Sequence, residues 1–219
     1  CTFFHYFPFN TNNINELEKS KKIMPHTVSK ETLDMMFLEA RTQNGWTDKP
    51  VDEALLHEIW NLARMGPTSA NCSPARIVFV QSADAKERLL PMLVEGNVDK
   101  AMSAPVTAII GHDMEFYEKL PQLFPHTDAR AWFVGNDELI ADTAFRNGTL
   151  QAAYFMLAAR AKGLDCGPLS GFDNGMADAS FFAGTKIKSN FLCSLGYGSG
   201  ENVFPRSPRF EFGEACEIL

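Results

Sequence analysis

The chain has 219 residues, of which 45% are hydrophobic, 21% charged and 11% aromatic; this is the balance of a folded globular protein and excludes disorder as the main state. Its 20 Lys and Arg against 27 Asp and Glu leave a net charge of −7, so no general basic field attracts nucleic acid or anionic lipid, and any anion site must be local. The longest apolar runs, such as Val106 to Ile110, fall far short of the ~20 residues that span a bilayer, so no membrane helix is expected.

The opening residues Cys1 to Phe9 are an aromatic cluster, and the lysines Lys19, Lys21 and Lys22 come after it. A secretory signal has the reverse order. Residues 1–26 therefore read as an extension or leader, with Met24 as a natural start, and residues 27–219 as a single domain. From Lys30, Leu33, Met36, Phe37 and Ala40 recur at helical spacing, which predicts a first helix of about three turns ending at the polar stretch Arg41 to Gly45. Asp52 is placed to cap a second helix whose buried stripe is Leu55, Leu56, Ile59, Trp60 and Ala63, stopped by Gly66-Pro67. Residues 76–80 read as a central strand, 82–93 as a helix and 104–111 as a second strand. Residues 113–136 show no clear period and read as an excursion from the sheet. Residues 138–162 are the longest helical pattern, apolar on nearly all sides from Leu150 to Ala161, which points to the axis of the fold or a subunit interface. A strand and turn over 164–171, a short helix over 174–182 and a strand over 189–195 follow. Pro205 to Arg209 is a stiff, exposed, basic loop, and 211–219 can add a strand or a short helix. No repeat or flexible linker divides the chain, so one α+β domain is the economical reading.

Five scattered cysteines with no C-x-x-C pair read as reduced thiols of a cytoplasmic protein. Cys72 has no His near it in sequence and reads as a buried or loop thiol rather than a nucleophile. His57 reads as solvent-facing, and the pairs His112 with Asp113 and His126 with Asp128 are too sparse for a metal site, so none is expected. The loop Gly66-Pro67-Thr68-Ser69-Ala70-Asn71-Cys72-Ser73-Pro74 gathers small and hydrogen-bonding residues, either as an ordinary turn or to bring N–H and amide groups to a flat polar ligand. Arg41, Arg206 and Arg209 are either solvated charges or, held rigidly in an acidic protein, a site for a fixed anion such as phosphate.

Taken together, several motifs resemble the FMN-dependent nitroreductase family: Arg41-Thr42-Gln43-Asn44, the Gly66 to Pro74 loop, Gly96-Asn97 followed by Lys100, Gly163-Leu164-Asp165 leading to Ser170-Gly171-Phe172-Asp173, and Leu195-Gly196-Tyr197-Gly198 before the last arginines. The resemblance runs from about Met35 to Leu219. Ala40-Arg41-Thr42, Asn44-Gly45-Trp46, Phe145-Arg146-Asn147, Cys166-Gly167-Pro168 and Lys188 to Cys193 are similar, more narrowly, to its malonic semialdehyde reductase branch, associated with pyrimidine degradation.

The resemblance implies a nitroreductase-like α+β fold with a central, mostly antiparallel sheet flanked by helices, and an intertwined homodimer with two FMN sites at its interface. It implies a hydride passed from NADPH or NADH through flavin N5 to a small aldehyde, malonic semialdehyde, giving 3-hydroxypropanoate. A broad nitroaromatic or quinone reductase and a flavin-binding protein without turnover are the alternatives. By the same resemblance Arg41, Arg206 and Arg209 clamp the FMN phosphate, with Thr42 and Gln43 beside them; the family usually has Ser where this chain has Gln43. Asn71 matches the family's cofactor-binding loop asparagine, Asn97 and Lys100 meet the pyrimidine edge of the ring, and Ser170 and Gly171 form the turn that approaches N5. Arg130, with Arg76 as alternative, is the cation expected to face a substrate carboxylate.

Overall fold

A computed structural model of the chain describes residues 27–219; the extension expected over residues 1–26 lies outside the described residues. Four strands form one sheet: β1 (Ala75–Val80), β2 (Val106–Asp113), β3 (Asp165–Leu169) and β4 (Ile187–Gly196). Their order is β1-β2-β4-β3 and every pair is antiparallel. The register between β2 and β4 shifts at Ile110/Gly111, leaving Asn190 as the extra residue of a bulge.

The alternation of β2 decides the layers. Val106, Ala108 and Ile110 face one core cluster, and Ile109, one residue out of phase, faces another. The first cluster is filled by α2 (Glu53–Ala63) and the long α6 (Asp137–Ala161), through Leu56, Ile59, Ala152, Phe155 and Ala159. The second lies under α3 (Ala83–Leu89), α4 (Val98–Ser103) and α7 (Asn174–Phe181), with Leu89, Ala101 and Ala177. Helices on both faces explain why β2 is a continuous apolar run.

Three sequence expectations change. The first helix stops early: α1 (Lys30–Leu33) is capped by Ser29, a wider-wound turn covers Asp34–Leu38, and Thr42 is already extended. Leu33 and Phe37 remain exposed in the chain and Met36 and Ala40 are only partly buried, so their helical spacing marks no face buried within it. The strand expected to be central, β1, is an edge strand with only β2 beside it; apolar faces reveal cover above and below, not neighbours in the hydrogen-bonding direction. The helix expected over 82–93 ends at Leu89 and tightens into a 3-10 turn at Leu90–Met92, which contains Pro91.

Residues 113–136 do leave the sheet. They fold as α5 (Leu120–Leu123) and two 3-10 turns that bury Phe116, Leu120, Ala129 and Phe133 against Ile140 and Ala144 of α6. The all-round apolar stretch of α6 is buried on one side only, leaving Leu150 and Tyr154 exposed. The chain ends in an extended arm and the short α8 (Phe212–Ala215), with Phe204, Phe210 and Phe212 uncovered.

Candidate functional site

The segment after α1 runs beside β3 as a strap. Thr42 pairs with Cys166, the Gln43 N–H donates to the Cys166 carbonyl at 3.1 Å, and Trp46 pairs with Gly198. Gly167 permits this approach: a Cβ there would stand 2.7 Å from both the Gln43 carbonyl and Lys100 Cε. Across β3 stands α4, preceded by a 3-10 turn at Glu95–Asn97. Asn97 and Lys100, three residues apart, therefore point the same way. Asn97 Nδ2 donates to the Gly171 carbonyl at 3.1 Å, and Lys100 Nζ to the Pro168 carbonyl at 3.1 Å. Gly171 is again a close approach, since its Cβ would meet Asn97 Nδ2 at 2.5 Å. The strap, β3, Asn97, Lys100 and the Ser170-Gly171 turn thus form one continuous line.

Two groups on this line are poised for something outside the chain. The Gln43 Oε1 acceptor is buried without a donor, a costly arrangement unless a ligand N–H completes it. Lys100 is buried with a carbonyl for its partner and no carboxylate. Burial holds its pKa below the ordinary lysine value, opposed by the nearby Cys193 thiol.

At one end of the line lies a cleft of about 600 Å³ bordered by Arg41, Arg160, Arg206 and Arg209. Arg41 donates to the Phe204 carbonyl, and Arg206 to the carbonyls of Leu38 and Ala40 at 2.6 and 3.0 Å, so the C-terminal arm and the strap are laced together by the guanidiniums themselves. Arg209 turns onto the carbonyls of Ser207 and Pro208. Among the described residues none of the four is in an ion pair. Each guanidinium carries five donors and spends one or two on carbonyls, which leaves a concentrated set for an anion.

Asn71 is placed elsewhere. It precedes β1, at the edge of the sheet opposite β3, about 14 Å away by three interstrand spacings. There its side chain donates to the Leu123 carbonyl at 2.8 Å. The loop around it is tightly wound: Ala70, Asn71 and Ser73 all have positive φ, at 48°, 51° and 40°. Two buried amides of α6 hold it, Asn147 accepting from the Ser69 N–H at 2.8 Å and Gln151 from the Ala75 N–H at 2.9 Å. Strain of this kind persists only where surroundings over-determine it, and it concentrates at functional sites.

The two candidate substrate cations are engaged. Arg130 makes two 2.7 Å bonds to Glu118, and Arg76 a 2.7 Å bond to Asp113. Neither borders the arginine cleft. Cys72 is buried and its pKa is pushed up to about 11 by that burial, against a bond from Thr68. Cys166 and Cys193 are buried and Cys216 exposed. In a Cys1→Ser variant at pH 8, one thiol, Cys216, is expected to react quickly with a disulfide reagent and three only on unfolding; a second fast thiol would contradict this burial.

Arg160 was not among the residues singled out from the sequence. The available signal was its isolation: it is the one charged residue between Leu150 and Ala161.

Comparison with known proteins shows the family. A sequence model described as the nitroreductase family matches residues 39–198. A protein of Burkholderia lata provisionally named NADH dehydrogenase/NAD(P)H nitroreductase is 62% identical over 192 residues, 88% of this chain and 98% of the relative. Among solved structures, a nitroreductase from Exiguobacterium sibiricum in complex with FMN, provisionally so named, superposes with a TM-score of 0.76 at 16% identity, over 88% of this chain and 99% of that one. A provisionally named NAD(P)H:FMN oxidoreductase from Staphylococcus epidermidis gives 0.74 at 20% identity, over 90% and 99%. On the length of the family match and the identity to its curated relative, the chain belongs to the nitroreductase family.

Proposed function

We propose that the protein is an FMN-dependent oxidoreductase, using NADPH or NADH, that acts as a homodimer and reduces a small aldehyde. One observation carries the cofactor assignment: four guanidiniums with no ion-pair partner among the described residues converge at one end of β3, and Gln43, Lys100 and Asn97 lie along it. A ligand with a phosphate at one end and a flat ring with both N–H and carbonyl groups at the other fits that order. The donor set suits FMN, and the orphaned Gln43 Oε1 is an acceptor for a ring N–H. The names of the Exiguobacterium and Staphylococcus proteins support the same choice. When bound, FMN supplies reversible hydride uptake.

The protein's own residues then have separable tasks. Arg41, Arg206 and Arg209 hold the phosphate beside Thr42, and Gln43 follows in the strap toward the ring. Lys100 is the buried cation available to the pyrimidine edge, where charge accumulates on reduction. Ser170 and Gly171 bring backbone close to the reacting part of the ring, a task Gly171 can perform because it carries no Cβ.

The placement of Asn71 supports a dimer. A residue at the opposite sheet edge reaches this site only from a second copy, and α6, α2 and the arm expose the apolar surface such a copy would cover: Leu150, Tyr154, Leu62, Phe204 and Phe210.

For the aldehyde, the sequence motifs favour malonic semialdehyde, and the net reaction is NAD(P)H, a proton and the aldehyde giving NAD(P)⁺ and 3-hydroxypropanoate. The proposed partner of its carboxylate is Arg130, with Arg76 as alternative. Glu118 and Asp113 already occupy these cations, so the substrate must displace or share with a protein carboxylate. A second reading is a broad nitroaromatic or quinone reductase, and the nitroreductase in the name of the Burkholderia lata relative favours its nitroaromatic part.

The purified protein is expected to be yellow, to bleach on anaerobic addition of NADPH or NADH, and to regain colour with malonic semialdehyde. Recovery with a nitroaromatic alone supports the second reading. Persistent colour without bleaching indicates flavin sequestration, and protein that takes up no FMN removes the assignment.

A further inference from the structure

Arg160 occupies the last turn of α6, the long helix that packs against all four strands. A cation there has an ordinary explanation, since the carbonyl end of a helix favours positive charge. Three observations go beyond it. First, Arg160 is the lone charge in an otherwise uncharged stretch of twelve residues from Leu150 to Ala161, where an apolar or small residue would pack more simply. Second, carboxylates nearby are used by other groups. Lys162, two residues on, takes Glu58, and Asp165, which borders the same hollow as Arg160, accepts the Gly198 N–H at 2.9 Å. Third, Arg160 spends one nitrogen on the Met36 carbonyl at 3.1 Å while bordering the cleft shared by Arg41, Arg206 and Arg209. The hydrogen bond fixes the planar fork and leaves donors uncommitted.

We propose that Arg160 is a fourth phosphate-positioning residue, supplied by the core helix rather than by the strap or the arm, and that it makes the site selective for phosphorylated over unphosphorylated flavin. This rests on the cofactor assignment above. The distinction from the other three arginines is mechanical. Arg206 and Arg209 sit on the C-terminal arm, which the guanidiniums of Arg41 and Arg206 tie to the strap, so their positions depend on the arm staying in place. Arg160 is carried by a 25-residue helix buried against the sheet. A charge on a rigid element is already in position when the ligand arrives, so less ordering must be paid on binding.

The test compares FMN with riboflavin, titrated by flavin fluorescence into full-length protein stripped of flavin, for wild type, Arg160→Gln and Arg160→Lys. Arg160→Gln is expected to weaken FMN by about tenfold or more, the effect of losing one charge-assisted contact, while leaving riboflavin within about twofold. Arg160→Lys should restore part of the FMN affinity because it keeps the charge without the fork. An equal loss for both ligands would show that Arg160 merely pins Met36 and would overturn the proposal, as would an unchanged FMN affinity. Wild-type protein that does not distinguish FMN from riboflavin would overturn the phosphate site itself, and with it this role.

Discussion

Replacing Arg41 by alanine is expected to weaken FMN binding by about 10- to 100-fold, the consequence of losing a charge-assisted contact worth about 1.5–3 kcal/mol. The residue has two tasks, because the guanidinium that faces the cleft also ties the strap to the Phe204 carbonyl of the arm. Arg41→Lys separates them. It keeps a positive charge in the cleft but cannot present a planar fork to both an anion and a carbonyl, so an intermediate affinity is expected. Fluorescence titration at two salt concentrations measures this. The loss should shrink as salt rises, since screening weakens the contact in the wild type. A change of less than threefold at low salt would remove Arg41 from the site.

A second large effect is expected in the core. Phe155 is fully buried in α6, with its ring 6.0 Å from that of Phe79 on β1, and Phe155→Ala should cost about 3–5 kcal/mol through lost burial and the cavity left behind. Its neighbour Tyr154 lies with one side of its ring over Gly66 and is 42% exposed. Tyr154→Ala should leave the stability of the single chain within about 1 kcal/mol, as surface substitutions do, and instead weaken association. Urea unfolding at one fixed protein concentration reads the first effect and sedimentation the second, since the stability of an associating protein depends on its concentration. Equal unfolding midpoints for Phe155→Ala and wild type would mean that α6 does not pack on the sheet through this residue. An unshifted sedimentation profile for Tyr154→Ala would take that face out of the proposed interface.

Much of the local structure was readable because it follows from short-range chemistry. Leu56, Ile59 and Ala63 lie at helical spacing and are the buried residues of α2. Asp52 stands at the N-cap of α2 as its place in the sequence predicts, although its side chain makes no capping bond there. Leu33 and Phe37 had equally good spacing and remain exposed, because periodicity shows that one face is apolar and says nothing of what covers it. The same limit applies to Leu150 and Tyr154, for which a subunit interface was one of the two readings.

Of the candidate site, Thr42, Gln43, Asn97, Lys100, Ser170 and Gly171 were placed side by side only by pairing with β3 and by the α4 contacts across it. Their separation along the chain runs to more than 120 residues, and resemblance, not spacing, grouped them. Asn71 belonged to the same group on paper and lies at the opposite sheet edge in the folded chain. The isolation of Arg160 in an apolar stretch marks it in the sequence, but only the packing of α6 against the sheet sets it beside the other three arginines.

The sequence by itself determined an acidic globular chain and the approximate helices and strands, and it left Arg41, Arg206 and Arg209 open between solvated charges and an anion site. These follow from composition, periodicity and residue chemistry, which act over a few residues. The tertiary structure decided that β1 is an edge strand, that Arg130 and Arg76 are already paired, and that Arg160 joins Arg41, Arg206 and Arg209 around one cleft. Each of these depends on strand order or on helix packing across the sheet, where residues far apart in the chain compete for the same partners.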